Sequence, residues 1–116
     1  IQYALYYPNR RTLGGKRLDF YEMGNLTFER PDMETFEGLA LAMSAMRQGG
    51  NMPTVFNAAN ERAVAMFLDK KIGFWEILEI IKNAMGDVPF IEEPNLEEVL
   101  ITEQTVYEYI ESRWKV

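Results

Sequence analysis

The stretch Asn51-Met52-Pro53-Thr54-Val55-Phe56-Asn57-Ala58-Ala59-Asn60-Glu61-Arg62-Ala63-Val64-Ala65-Met66-Phe67-Leu68-Asp69-Lys70-Lys71 reads as one amphipathic helix with its end signals in place. Pro53 suits a first helical turn, with Asn51 or Met52 before it, because an N–H there has no partner inside the helix anyway. Val55, Ala59, Ala63, Met66 and Phe67 recur at helical spacing and form an apolar stripe. Lys70-Lys71 sit where positive charge favours a helix C-terminus. Upstream, Phe36, Leu39, Met43 and Met46 follow a 3, 4, 3 spacing, and Gly49-Gly50 supplies a left-handed stop. Downstream, Phe74, Ile77, Leu78, Ile81, Ala84 and Met85 form a third stripe that Gly86 closes. A loop with two prolines spans Asp87 to Pro94. Asn95 and Glu98 then match a capping box. Thr102 is a candidate cap for a last helix carrying Val106, Tyr109, Ile110 and Arg113/Trp114. Helices this short are marginal alone, and short loops make antiparallel neighbours, so the pattern predicts a mostly α fold built as a small helical bundle.

The part ahead of Asp32 has a different character. Residues 1–30 carry five basic and three acidic residues, and the remaining 86 carry seven and fifteen. Pro31 biases Arg30 away from helical backbone, which divides the chain into 1–30 and a helical domain over 31–116. Ile1 to Tyr7 fits alternation as a strand and also a helical turn, and Pro8 ends either. Arg10 to Arg17, centred on Gly14-Gly15, reads as a surface loop. Leu18-Asp19-Phe20 and Leu26-Thr27-Phe28 read as two short strands separated at Gly24-Asn25.

Composition narrows the chemistry. The 116 residues are 47% hydrophobic and 26% charged, ordinary for one globular domain. There is no cysteine, which excludes a disulfide framework and a thiolate zinc site. There is no histidine, which removes the commonest general base and metal ligand. A net charge of −6 argues against nonspecific nucleic-acid binding. No apolar run approaches the ~20 residues of a membrane span, and no signal-peptide pattern is present. Ile1 in place of Met implies a processed chain or a piece of a longer one.

Three residues stand out as structural candidates: Asn57, Asn60 and Glu61. Asn57 and Glu61 are four apart and share a helix face. The alanines between the asparagines permit close approach of a neighbour, so the amides read as tethers to an adjoining loop rather than as substrate ligands. Glu92-Glu93 and Glu97-Glu98 lack EF-hand spacing and read as a solvated loop and a helix start. Gly14-Gly15-Lys16 lacks the upstream glycine and the Ser/Thr of a phosphate loop. Arg10, Arg11, Lys16 and Arg17 read as a solvated loop, and the methionines at 33, 43, 46 and 52 as adaptable core. No catalytic, cofactor-binding or metal-binding residue is assigned.

The chain resembles the C-terminal portion of the 1-deoxy-D-xylulose 5-phosphate reductoisomerase family. The matching residues are Ile1-Gln2-Tyr3-Ala4-Leu5, Tyr7-Pro8-Asn9-Arg10, Leu18-Asp19-Phe20, Leu26-Thr27-Phe28-Glu29 with Pro31-Asp32, and Leu39-Ala40-Leu41-Ala42. Further on they are Asn57-Ala58-Ala59-Asn60-Glu61 with Ala63-Val64-Ala65, Phe67-Leu68, Ile72-Gly73-Phe74, and Leu96-Glu97-Glu98-Val99-Leu100. The asparagine–alanine string is the most specific of these. Trp75 departs from the small hydroxyl residue that relatives commonly carry, which puts the start of the third helix in doubt. The resemblance implies a larger α/β enzyme of isoprenoid biosynthesis by the non-mevalonate pathway, an oxidoreductase and isomerase using NADPH and a divalent metal (Mg or Mn), cytoplasmic and homodimeric. It implies that the nucleotide loop, metal carboxylates and phosphate site lie in other domains. This segment alone would then be inactive, its partners being the remaining domains of the same enzyme, with no nucleic acid or membrane. It also implies helix for Ile1 to Tyr7, and that residues 1–30 pack on or pair with the central catalytic domain. The competing expectation is a free-standing helical protein-interaction module without enzymatic activity.

Overall fold

Apolar stripes at helical spacing become stable helices when they bury one another, and residues 31–114 do this. The computed structural model describes residues 1–114. The chain divides into two units, Ile1–Arg30 and Pro31–Val116. In the second unit, α3 (Glu37–Gln48), α4 (Met52–Leu68), α5 (Phe74–Asp87) and α6 (Leu96–Arg113) form the bundle. Helix α4 is its axis and packs on the other three. Its Val55, Ala58, Ala59, Ala63 and Met66 are buried against Ile80, Ile81 and Ala84 of α5, Val106 and Ile110 of α6, and Ala45 of α3. Each fully buried Ile or Val contributes about 1.5–3 kcal/mol. The alanines bring α4 close to its neighbours.

The ends are set locally. Gly49 and Gly50 have φ of 69° and 56°, so the chain leaves α3 through left-handed backbone that a side chain disfavours. Lys70 takes φ 59°, and Lys71 N–H returns to Met66 O at 2.9 Å, closing α4. Helix α5 begins at Phe74, as the third stripe requires, despite the bulky Trp75: Glu76 reaches back to Gly73 N–H at 2.6 Å. Asn95 and Glu98 form the capping box in both directions, at 3.0 and 2.8 Å.

Four expectations are corrected in this unit. Within the helical domain expected over 31–116, the first helix begins only at Glu37; residues 33–35 form a turn held by the Asp32 carboxylate. Gly86 lies inside α5, which runs to Asp87 and stops at the extended Val88. Thr102 starts no helix, because α6 is continuous from Leu96 and Thr102 is buried within it. The α3 stripe of Phe36, Leu39, Met43 and Met46 does not face the core. Leu41 and Ala45 do, since the rotation that seats Ala45 on α4 turns Phe36, Leu39 and Met46 outward.

Residues 1–30 hold two short helices, α1 (Gln2–Tyr6) and α2 (Phe20–Met23). The strands expected at Leu18-Asp19-Phe20 and Leu26-Thr27-Phe28 are absent among the described residues. A strand needs a partner for its backbone groups, and the two triplets do not supply one to each other. The Asp19 carboxylate accepts instead from the N–H of Tyr21 at 2.8 Å and Glu22 at 3.3 Å, which nucleates α2. Arg10 and Arg11 stack over Tyr3 and Tyr6 at 4.2 and 4.6 Å, and Lys16 lies 3.6 Å from Glu22.

Candidate functional site

Helix α4 distributes its polar residues over three places. Asn57 is exposed, and its Nδ2 donates to Glu61 Oε1 at 3.2 Å, one turn on along the same helix. It therefore reaches no neighbouring loop among the described residues. Glu61 links α4 to α6, with Tyr107 Oη 3.3 Å from its Oε2 and equally far from Glu103 Oε1. Burial first, and then the charges of Glu103 and Glu61, push the Tyr107 phenol above its ordinary value, so it remains a neutral donor. The next residue of α4, Arg62, pairs with Glu111 of α6, one turn beyond Tyr107.

Asn60 points elsewhere. With Phe56 and Val64, four residues either side of it, Asn60 lines a groove between the start of α3 and α5. Phe36 and Leu39 wall one side, and Phe74 and Trp75 the other. The groove encloses about 460 Å³. Phe74 meets both Phe67 and Trp75 edge to face, at 5.9 and 5.7 Å between ring centres. The Asn60 side chain has no hydrogen bond to another described residue.

The loop tether falls to Asn51, which sequence reasoning placed only as a flank of Pro53. Its side chain is 1% exposed and leaves α4 uncapped. Its Nδ2 donates to Pro89 O at 3.0 Å and to Thr102 Oγ1 at 3.2 Å, and its Oδ1 accepts from Ile91 N–H at 3.0 Å. Asn51 N–H donates to Ile91 O at 2.9 Å, and Thr102 passes its own hydrogen to Glu98 O at 2.7 Å. One amide thus joins the start of α4, the α5–α6 loop and the middle of α6. Gly50 permits the approach, since a Cβ there would stand 2.3 Å from Ile91 O. A buried asparagine between Gly-Gly and Pro was the available signal.

At the other end of α6, Tyr109 Oη donates to Asp87 Oδ2 at 2.7 Å, and Arg113 lies 3.0 Å from the same oxygen. Glu92, Glu93 and Glu97 are exposed, and Glu98 serves its capping box. No three Asp or Glu side chains converge among the described residues, so the donor set for a divalent cation is not assembled there. No described helix is long and apolar enough to cross a membrane. Of the methionines named above, Met52 is core, while Met33 and Met46 are exposed.

A four-helix bundle centred on an alanine-rich α4, with a polar knot at one end and an open apolar groove on one side, defines a small all-helical domain. The chain belongs to the DXP reductoisomerase C-terminal domain family, whose sequence profile matches residues 1–109. It is 60% identical over 114 residues to the 1-deoxy-D-xylulose 5-phosphate reductoisomerase of Agathobacter rectalis, covering 98% of this chain and 30% of that protein. The enzyme of the same name from Lachnoclostridium phytofermentans is 53% identical over 112 residues, covering 96% of this chain and 29% of that protein. Among solved structures, the Zymomonas mobilis reductoisomerase in complex with NADPH superposes with a TM-score of 0.85 at 36% identity, over 99% of this chain and 30% of that one. A DOX-P reductoisomerase in complex with magnesium gives 0.82 at 32% identity, over 98% and 31%. The chain thus spans about 30% of the length of the relatives it matches.

Proposed function

We propose that this chain is the C-terminal helical part of a 1-deoxy-D-xylulose 5-phosphate reductoisomerase. The whole enzyme would rearrange the pentulose phosphate and reduce the aldehyde intermediate with NADPH to 2-C-methyl-D-erythritol 4-phosphate. The observation that carries this reading is the 60% identity sustained over 98% of the chain. In this reading NADPH and a divalent metal are held by the remaining domains, as the relatives solved with NADPH and with magnesium suggest. The bundle over 31–116 braces those domains and their homodimer partner in the cytoplasm. Residues 1–30 run along the catalytic domain, and the backbone around Leu18–Phe20 and Leu26–Phe28 pairs with strands outside this chain. Asn57, Asn60 and Glu61 serve packing rather than chemistry. A free-standing module is the weaker reading, given relatives about three times as long.

The test is an NADPH-oxidation assay on the full-length gene product with 1-deoxy-D-xylulose 5-phosphate and Mg²⁺, beside the 116-residue chain. Turnover by the former and none by the latter is the expected result. Saturable NADPH binding by the short chain in a calorimeter overturns the division of labour, and an inactive full-length protein overturns the enzyme reading.

A further inference from the structure

We propose that α3 is a strap that opens as one unit, swinging on Gly49 while α4, α5 and α6 stay folded, with the Glu37–Lys82 ion pair as its latch. The proposal concerns the bundle and does not depend on the enzyme reading.

Helix α3 is the least buried of the four. Ala45 is its one fully buried residue, with Leu41 partly buried beside it. Helix α5 by contrast buries Ile80, Ile81 and Ala84, and α6 buries Thr102, Val106 and Ile110. Among the described residues, α3 packs on α4 and α5 but not on α6. Its outer stripe adds little, since Leu39 and Met46 are 45% and 68% exposed. Lifting α3 therefore bares little apolar surface. An element of that kind opens at a lower free energy than the whole fold.

The C-terminal end of α3 combines an anchor and a joint. A Cβ on Gly50 would strike Ile91 O and the Phe90 ring, so Gly50 is held tightly against that loop. Asn51, next in the chain, bonds Ile91 through both its N–H and its side chain. A Cβ on Gly49 would meet nothing within 4 Å. Gly49 thus joins open space to the widest backbone freedom, one residue before a fixed point. Rotation there carries all of α3 and leaves Asn51 in place.

The N-terminal end is held lightly. The Phe36 side chain makes no cap. Among the described residues, the Glu37–Lys82 pair is the one polar side-chain bond from α3 to another helix. Both side chains are about half exposed, at 46% and 42%, so water and salt compete for the bond and it is readily released. Helix α6 is fastened by Asn51–Thr102, Glu61–Tyr107, Arg62–Glu111 and Asp87–Tyr109. Release of the latch takes Leu39 away from the groove wall and bares Phe56, Asn60 and Val64 of α4. The strap thereby governs how open the groove is.

Native-state hydrogen exchange of the full-length gene product, read peptide by peptide in a mass spectrometer, tests the strap. Amides of residues 41–48 are expected to exchange at least about tenfold faster than those of 56–68, in one urea-dependent step. Lys82→Met is expected to speed α3 by about two- to fivefold and leave α4 and α6 unchanged, whereas Lys82→Arg keeps the slow rate. Exchange of 41–48 together with 56–68 in a single step overturns the proposal. So does fast exchange of 41–48 that ignores urea, which marks amides fraying one by one. A Lys82→Met protein in which α3 is unchanged, or in which all four helices speed up alike, overturns it as well.

Discussion

Residues 1–30 and 31–114 are both well supplied with apolar side chains, and they use them in opposite ways. Leu18, Phe20, Tyr21, Leu26 and Phe28 in the first are all exposed, and no residue there is buried. Val55, Ile80, Val106 and Ile110 in the second are completely covered. The difference is one of period and partner, not of hydrophobicity. The stripes of α4, α5 and α6, with Leu41 and Ala45 of α3, cover one another, whereas isolated triplets bounded by glycine and charge have nothing within their own unit to lie against. The lesson is that hydrophobic content marks what must be covered, and pattern decides whether a segment can do the covering itself.

The largest effect that separates the two regions comes from the core. Ile80→Ala removes a completely buried side chain and is expected to destabilise the 116-residue chain by about 2–5 kcal/mol. Phe28→Ala is expected to change it by less than about 0.5 kcal/mol, because Phe28 is 89% exposed. Urea unfolding followed by far-UV circular dichroism measures both, and equal costs would break the contrast.

Next is the polar knot. Asn51→Ala orphans Pro89 O and Ile91 N–H in a buried site, for a cost of about 2–3 kcal/mol. Asn51→Asp should do at least as much harm, since a carboxylate has no N–H for Pro89 O or Thr102 Oγ1. Asn57→Ala, losing only an exposed bond along α4, should cost less than about 0.5 kcal/mol. Thermal melting of the three variants orders them, and an Asn57→Ala melt as low as that of Asn51→Ala would return the tether to the asparagine–alanine string.

A somewhat smaller loss, about 2 kcal/mol, is expected for Gly50→Ala, from positive φ together with the clash on Ile91 O. Gly24 has φ 68° but open space around a Cβ, so Gly24→Ala in the first unit should cost only the conformational part, about 1 kcal/mol. Chemical denaturation of both variants compares a glycine required for space with one required only for backbone angle.

The smallest effect lies at the boundary between the regions. Bonds from Thr35, its hydroxyl first and then its N–H, hold the exposed Asp32 carboxyl below the ordinary carboxylate range. A carboxylate depressed by folding supports the turn above its unfolded pKa, and that support fades as pH falls through the folded value. The Thr35 amide should therefore lose its downfield NMR shift only in acid, with the bundle still folded. A shift unchanged down to pH 2 would remove Asp32 from the turn.

Much of the bundle was legible because its signals are local. Pro53, the glycines at 49 and 50, the lysines at 70 and 71, and the Asn95–Glu98 capping box all act within one turn of the backbone they shape, and the stripes of α4, α5 and α6 carry their own period. The alanines of the asparagine–alanine string marked close packing correctly, and Ala58 and Ala59 are buried. The string's polar residues were harder, because exposure depends on what lies opposite. Asn57, Asn60 and Glu61 sit on one helix, and facing α6, facing the groove or facing solvent is settled by rotation against α3, α5 and α6.

Tertiary structure alone decided three things. It chose the inner face of α3, because two apolar faces compete and only the position of Ala45 against α4 selects between them. It converted Thr102 from a plausible cap into an interior residue, because its partner Asn51 is 51 positions away. And it made Asn51 the fastener of the bundle, through bonds to Pro89 and Ile91 that span 38 and 40 positions. A bond of that span leaves no periodic trace in the chain. It exists only after the helices have packed, and the cost of burying the amide is what then holds the loop to them.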